Sequence, residues 1–466
     1  MKPELKEKLN SEFTLDMVRP YFSDLVFFCL IVFCMVQIPV TCFFYYAFME
    51  PMNPVVSVLG GGFLVGYCIK YTKGTSFSYS VKNNIPILVY LLFGALVIIS
   101  TIFTCIDSIT FITHGNNSES TFTHLSYIVW FLMGIGLGRE KLRAWIIRVY
   151  IISSAVFTLF YIWKAAQKAD VIHFISVFVN SNHIGYYLML CVMVSALWGI
   201  FGKYLLERIA SLAVFSIAVY ALVYNNTLGC QIAVVIGLIF TFFVVLLCRG
   251  KACLKVLIPI GLAVLVFALS VALPLNGSSA SDGNARGNAE EIVNDISALS
   301  TGFADADDHL GSGRMLLWKD GINKIKEKPI LGWGGENAGN LVYGTGKSGI
   351  RVHNEYLQYA IDFGIPAAVI YVLAILAVFI RGLRHRKELT DINIVALCTA
   401  FAYFVSAFFG IRLYFLVPFV MFLFGMGYWK PTPAPEAEGV AEIEKPQTVS
   451  SDNSFAGAEP ENGGLE

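Results

Sequence analysis

The chain has 466 residues, 56% of them hydrophobic and 14% charged, with no formal net charge and a mean hydropathy of +0.66. Soluble domains carry about 25% charged and about 45–50% apolar residues, and here the apolar residues fall into long unbroken runs. Soluble, disordered, collagen-like and disulfide-scaffold classes are excluded, which leaves an integral membrane protein. The zero charge hides two unequal parts. Residues 430–466 sum to −6 and residues 1–429 to +6, neither enough to argue for nucleic acid.

A helix crossing a hydrocarbon core of ~30 Å needs about 20 apolar residues. Twelve runs approach that length, at 24–48, 52–70, 84–106, 124–138, 146–163, 184–201, 209–224, 228–248, 256–275, 364–380, 392–410 and 413–429. The run at 124–138 is the weakest, being short and glycine-rich. The first run is longer than the core of a cleavable signal peptide, about 7–15 residues, and reads as a retained span. The ten cysteines mostly sit in apolar runs, where Cys behaves as a small hydrophobe. No CxxC pair occurs, which argues against a zinc site.

Cytoplasmic loops carry an excess of Lys and Arg. One alternating set of loops, taken with the N-terminal segment, holds 20 such residues, including Arg139, Arg148, Arg208, Arg249 and Arg381. The short loops of the other set hold 3, namely Lys164, Lys168 and Arg412. This bias places both termini in the cytoplasm. The chain then divides into helices 1–9 over 1–275, an extracytoplasmic segment over 276–363, helices 10–12 over 364–429, and a disordered acidic tail over 430–466.

The extracytoplasmic segment opens with a turn-rich stretch, 276–284. From Arg314 to Lys328, Met315, Trp318, Ile322 and Ile325 recur at helical spacing, flanked by Lys319, Lys324, Lys326 and Lys328. A basic amphipathic helix with a Trp suits a membrane interface; a helix covering the loop's own small core fits the pattern equally well. Gly311-Ser-Gly-Arg314, Pro329-Ile-Leu-Gly-Trp-Gly-Gly335 and Arg351-Val-His-Asn-Glu-Tyr-Leu357 form the densest set of polar motifs in the chain. Glycines around single charges let backbone amides approach a ligand. His353 precedes an apolar helix, and an imidazole of ordinary basicity accepts protons near neutrality; a capping or loop-bonding histidine is the competing reading. Arg314 and Arg351 suit a phosphate or carboxylate, or equally lipid headgroups. Gly346-Lys347-Ser348 imitates the end of a P-loop, but Leu341 stands where the first glycine is required. Two smaller clusters, Asn180-Ser-Asn-His-Ile-Gly-Tyr186 and Asn225-Asn-Thr-Leu-Gly229, have the look of helix starts. The span interiors read as almost free of ionisable residues, which argues against an ion-coupled carrier.

The order Gly-Arg314, Trp318, Pro329-Ile-Leu-Gly-Trp-Gly334 and His353-Asn354-xx-Leu357, followed by a helix opening with Gly364, resembles the O-antigen ligase and polymerase superfamily. The resemblance is strongest over 311–366 and extends to Asn182-His-Ile-Gly185. It implies an all-helical membrane enzyme of the bacterial cytoplasmic membrane, working at the outer face during surface polysaccharide assembly beside other assembly proteins. Such an enzyme transfers glycan from undecaprenyl pyrophosphate to an acceptor sugar hydroxyl, without metal or other cofactor and with inversion. The resemblance carries the central roles to Arg314 and His353, and substrate-binding roles fall to Arg351, Asn354, Asn182, Trp318 and Arg412. Ligase and polymerase share these motifs. The family often carries Ser-Arg where this chain has Thr227-Leu228, so Arg351, Arg412 or a lysine supplies that charge, or the pyrophosphate is held differently. A multi-span transporter or lipid-linked sugar flippase is the alternative from another class.

Overall fold

The computed structural model describes residues 24–36, 84–104, 120–167, 178, 181–272, 310–335 and 351–429. Among them every regular element is helical. In chain order these are α1 (Asp24–Val36), α2 (Ile85–Thr104), α3 (Thr121–Gly136), α4 (Glu140–Ala166), α5 (Ser181–Phe201), α6 (Leu205–Asn225), α7 (Leu228–Arg249), α8 (Leu257–Ala272), α9 (Leu310–Glu327), α10 (Glu355–Arg384), α11 (Asp391–Ser406) and α12 (Val417–Gly427). A 3-10 turn, Gly250–Val256, joins α7 to α8. Seven helical stretches are long and apolar enough to cross a membrane: α2, α4, α5, α6, the joined α7–α8, α10, and α11 with its 3-10 extension. Helices α1, α3 and α12 are apolar but shorter. The expected span at 52–70 lies outside the described residues, as do the stretch 276–284, Gly346-Lys347-Ser348 and the acidic tail. The remaining expected spans each coincide, at least in part, with a described helix.

Within Glu355–Arg384 two helical segments meet at Gly364, whose φ 86° and ψ 163° are not helical, with Pro366 just after it. The second segment begins where the sequence predicts a helix start, and the first, from Glu355, is an addition to it. The first turns of α10 therefore lie in what the sequence presents as loop.

Helix α5 is the buried centre: every residue from His183 to Ile200 is shielded. A helix that is apolar on all sides has no solvent or lipid face to offer and belongs inside a bundle. It packs against α4, α6, α7 and α11. Helix α12 lies against α3, where small residues let two backbones touch. A Cβ on Gly134 would stand 2.1 Å from the Phe422 carbonyl oxygen, and one on Gly425 would stand 2.0 Å from that of Phe131.

The bundle has two chemically distinct ends. The residues counted as cytoplasmic by charge gather at one, called here the far end. There Arg148 pairs with Glu207 at 2.7 Å and Arg249 with Asp391 at 3.1 Å. Arg139 meets Asp24 at 3.4 Å, and both Arg143 and Asn393 donate to the Met426 carbonyl. The opposite end collects the polar motifs of the sequence and is the site end.

Candidate active site

The short segment Arg351–Asn354 leads into α10 and carries the histidine. Capping of α10 falls on Asn354, whose Oδ1 accepts from the N–H groups of Tyr356 and Leu357, both at 3.1 Å. Asn354 thus satisfies two of the orphan amides at the helix start, and the imidazole next to it is spared that task. His353 itself has φ 51°, one of two non-glycine residues with positive φ among those described, the other being Asn226. Left-handed backbone is uncommon for a side chain with a Cβ, and such outliers cluster at functional sites. His353 is half-buried. Burial, then the positive fields of Arg314 and Arg351, lower its pKa to about 4. It is a neutral imidazole at physiological pH, with two guanidinium groups close by.

Below this turn, the first turns of α10 hold two buried carboxylates. Glu355 accepts from the hydroxyls of Tyr371 at 2.8 Å and Tyr403 at 2.9 Å. Asp362 pairs with Arg412 at 3.1 Å, with the two side chains 3% and 0% exposed. The Arg412 guanidinium also lies 3.9 Å from the centroid of the Tyr359 ring. The Arg412 side chain, expected among the substrate-binding residues, is enclosed beside Asp362 and Tyr359. Glu355 and Asp362 both lie before Gly364, ahead of the expected span at 364–380. They belong to the short helical segment that precedes the apolar run.

The glycine-rich turn after α9 is used by the fold itself. The amides of Trp333 and Gly334 donate to the carbonyls of Ile361 and Asp362 at 2.9 and 2.7 Å, and Ile365 N–H donates to the Pro329 carbonyl at 2.8 Å. The turn therefore zips onto α10 at its kink, satisfying carbonyls that the kink leaves open. It can lie this close because a Cβ on Gly364 would stand 2.0 Å from the Ile330 carbonyl oxygen. Of the two readings of α9, the structure favours the small core. Ile325, Val352, Ala360 and Ile361 form a buried cluster with Trp318 and Trp333 packed against it. Trp318 meets Phe408 edge-on at 5.7 Å, and Arg314 occupies the same helix, half-buried, one turn before it.

The two smaller sequence clusters come together here. Asn225 at the end of α6 donates to the Ser181 carbonyl at 2.9 Å and accepts from the Tyr161 hydroxyl at 3.0 Å. Gly185 lets α5 press on Thr227, whose Oγ1 would stand 2.4 Å from an added Cβ. Asn182 is half-buried at the first turn of α5, and its neighbour His183 is within electrostatic reach of His353 and Arg351. A second histidine missed in the sequence, His124 of α3, is buried, bonds the Ser120 carbonyl through Nδ1 at 2.8 Å and senses Arg412 and Arg351. His183 stands inside the polar cluster 180–186, which is a signal in the sequence; His124, in the apolar run at 124–138, gives none.

Histidine, two arginines and a polar helix start thus converge at one end of the bundle, an arrangement suited to holding an anion and moving a proton. No curated protein matches the chain. Residues 212–372 match the family model described as O-antigen ligase, a stretch that runs from α6 through Arg314 and His353 to the middle of α10. Over that stretch, about a third of its length, the chain is similar to the O-antigen ligase family.

Proposed function

We propose that the protein transfers a glycan from undecaprenyl pyrophosphate to an acceptor sugar hydroxyl, at the outer face of the bacterial cytoplasmic membrane, as a surface-polysaccharide ligase. The observation that carries this is the half-buried His353, set in left-handed backbone beside Arg314 and Arg351. The arginines neutralise the pyrophosphate, which then leaves with the electron pair of the broken anomeric C–O bond. Donors preorganised toward developing charge in this way often contribute more to catalysis than any other single effect. His353 takes the proton of the acceptor hydroxyl as the new glycosidic C–O bond forms, and a single in-line displacement inverts the anomeric centre. A bound pyrophosphate offsets the arginine field that holds the imidazole pKa down, so the base strengthens when donor is present. Trp318 and Asn182 flank the sugar units, while Asn354 and Arg412 hold the frame. The far end, with its cluster of arginines, faces the cytoplasm.

The test is a producing strain in which His353→Ala and Arg314→Ala replace the parent chain, with lipid-linked glycan and surface polymer both extracted. Loss of surface polymer with long chains left on lipid is the expected result. Single repeat units left on lipid would identify a polymerase instead. Unchanged glycans in both variants, with the protein inserted at normal level, would overturn the enzyme reading and favour a transporter.

A further inference from the structure

We infer that Asp362 is a positioning residue that sets the backbone of the His353 turn through the amide of Gln358; this rests on His353 being the base proposed above. Asp362 is 2% exposed and lies two turns into α10. Its Oδ2 takes Arg412 at 3.1 Å and its Oδ1 takes the Gln358 Nε2 at 2.9 Å. An ionised carboxylate only accepts, whereas an amide can present either its oxygen or its NH₂ group. Asp362 therefore dictates which way Gln358 faces: NH₂ toward the carboxylate, oxygen away from it. That oxygen accepts the Val352 N–H at 3.3 Å. Val352 joins Arg351 to His353 and is itself buried. Its N–H, if left without an acceptor in that position, would draw the turn toward another geometry. The chain Arg412–Asp362–Gln358–Val352 thus runs from an enclosed ion pair to the peptide that aims both the arginine and the imidazole. A second tie acts at the same residue, since the Asp362 carbonyl accepts from Gly334 at 2.7 Å, fixing this part of α10 against the α9 turn.

The direction of the hydrogen bonds makes the idea testable by exchange. Membranes of a producing strain supply donor and acceptor, and the readout is the rate at which radiolabelled sugar leaves undecaprenyl pyrophosphate, per amount of inserted protein. Gln358→Leu removes the relay while leaving Asp362–Arg412 in place, and lowers turnover about 100-fold, the effect of roughly 1 Å of misplacement. Asp362→Asn, nearly isosteric, is also slow, because an amide no longer dictates how Gln358 turns. The double exchange Gln358→Glu with Asp362→Asn preserves net charge: the new carboxylate at 358 accepts from both the amide at 362 and the Val352 N–H, and turnover recovers by at least 10-fold over either single variant. Parental turnover in Gln358→Leu would overturn the inference, as would failure of the exchange to restore activity. His353→Ala separates the two ideas. If it keeps parental turnover, the proposed function falls; if it is inactive while Gln358→Leu is fully active, only the positioning role falls.

Discussion

The two ends of the bundle use the same side chains for opposite purposes. At the far end, Arg249 and Asp391 pair at 3.1 Å with side chains 28% and 49% exposed; at the site end, Arg412 and Asp362 pair at the same distance with 0% and 3% exposed. Exposed pairs are screened and contribute little. An enclosed pair is costly to form and far more costly to break, since the survivor is left as a bare charge. The far end can tolerate rearrangement of its cations so long as their number is kept, because orientation in the membrane depends on the count. The site end tolerates none, because each buried charge holds a specific partner in place.

That contrast can be attacked in order of expected effect. His353→Ala should lower glycan transfer by about 10²–10⁴-fold, the range typical for loss of a general base, without reducing inserted protein. Its pH counterpart follows from the lowered pKa: the imidazole stays neutral as pH falls past 6.5, so the acidic limb of kcat/KM should fall near 4, and a limb at 6.5 would show that neither burial nor the arginine field is acting. Arg412→Ala should cost about 3–5 kcal/mol of stability by stranding Asp362, read as a large drop in the detergent melting temperature. Gly364→Ala meets a positive φ and the Ile330 carbonyl together; the backbone strain alone is about 1–3 kcal/mol, and the α9 turn should become protease-sensitive. Arg249→Ala, the mirror experiment at the far end, should shift stability by no more than about 1 kcal/mol. An Arg249→Ala effect as large as that of Arg412→Ala would erase the distinction between the ends.

The helices were legible in the sequence because apolar length is a one-dimensional property, and so was the separation of charge between their ends. The proximity of Arg314, Arg351 and His353 was legible too, since they share one polar stretch. The glycine-rich turn at 329–335 was legible as a motif and misleading as to its use: its amides serve Ile361 and Asp362 rather than a ligand, and nothing in local sequence distinguishes the two.

Composition alone settles that this chain lives in a membrane, because 56% apolar residues gathered in runs of spanning length have no other stable solvent. Tertiary structure alone decides which of those residues meet. Asp362 and Arg412 are 50 positions apart, and Ser100 reaches the Leu331 carbonyl across a still longer gap. Such pairings are set by how kinked α10 seats against α2 and α9, and packing of that kind leaves no period in the sequence to read.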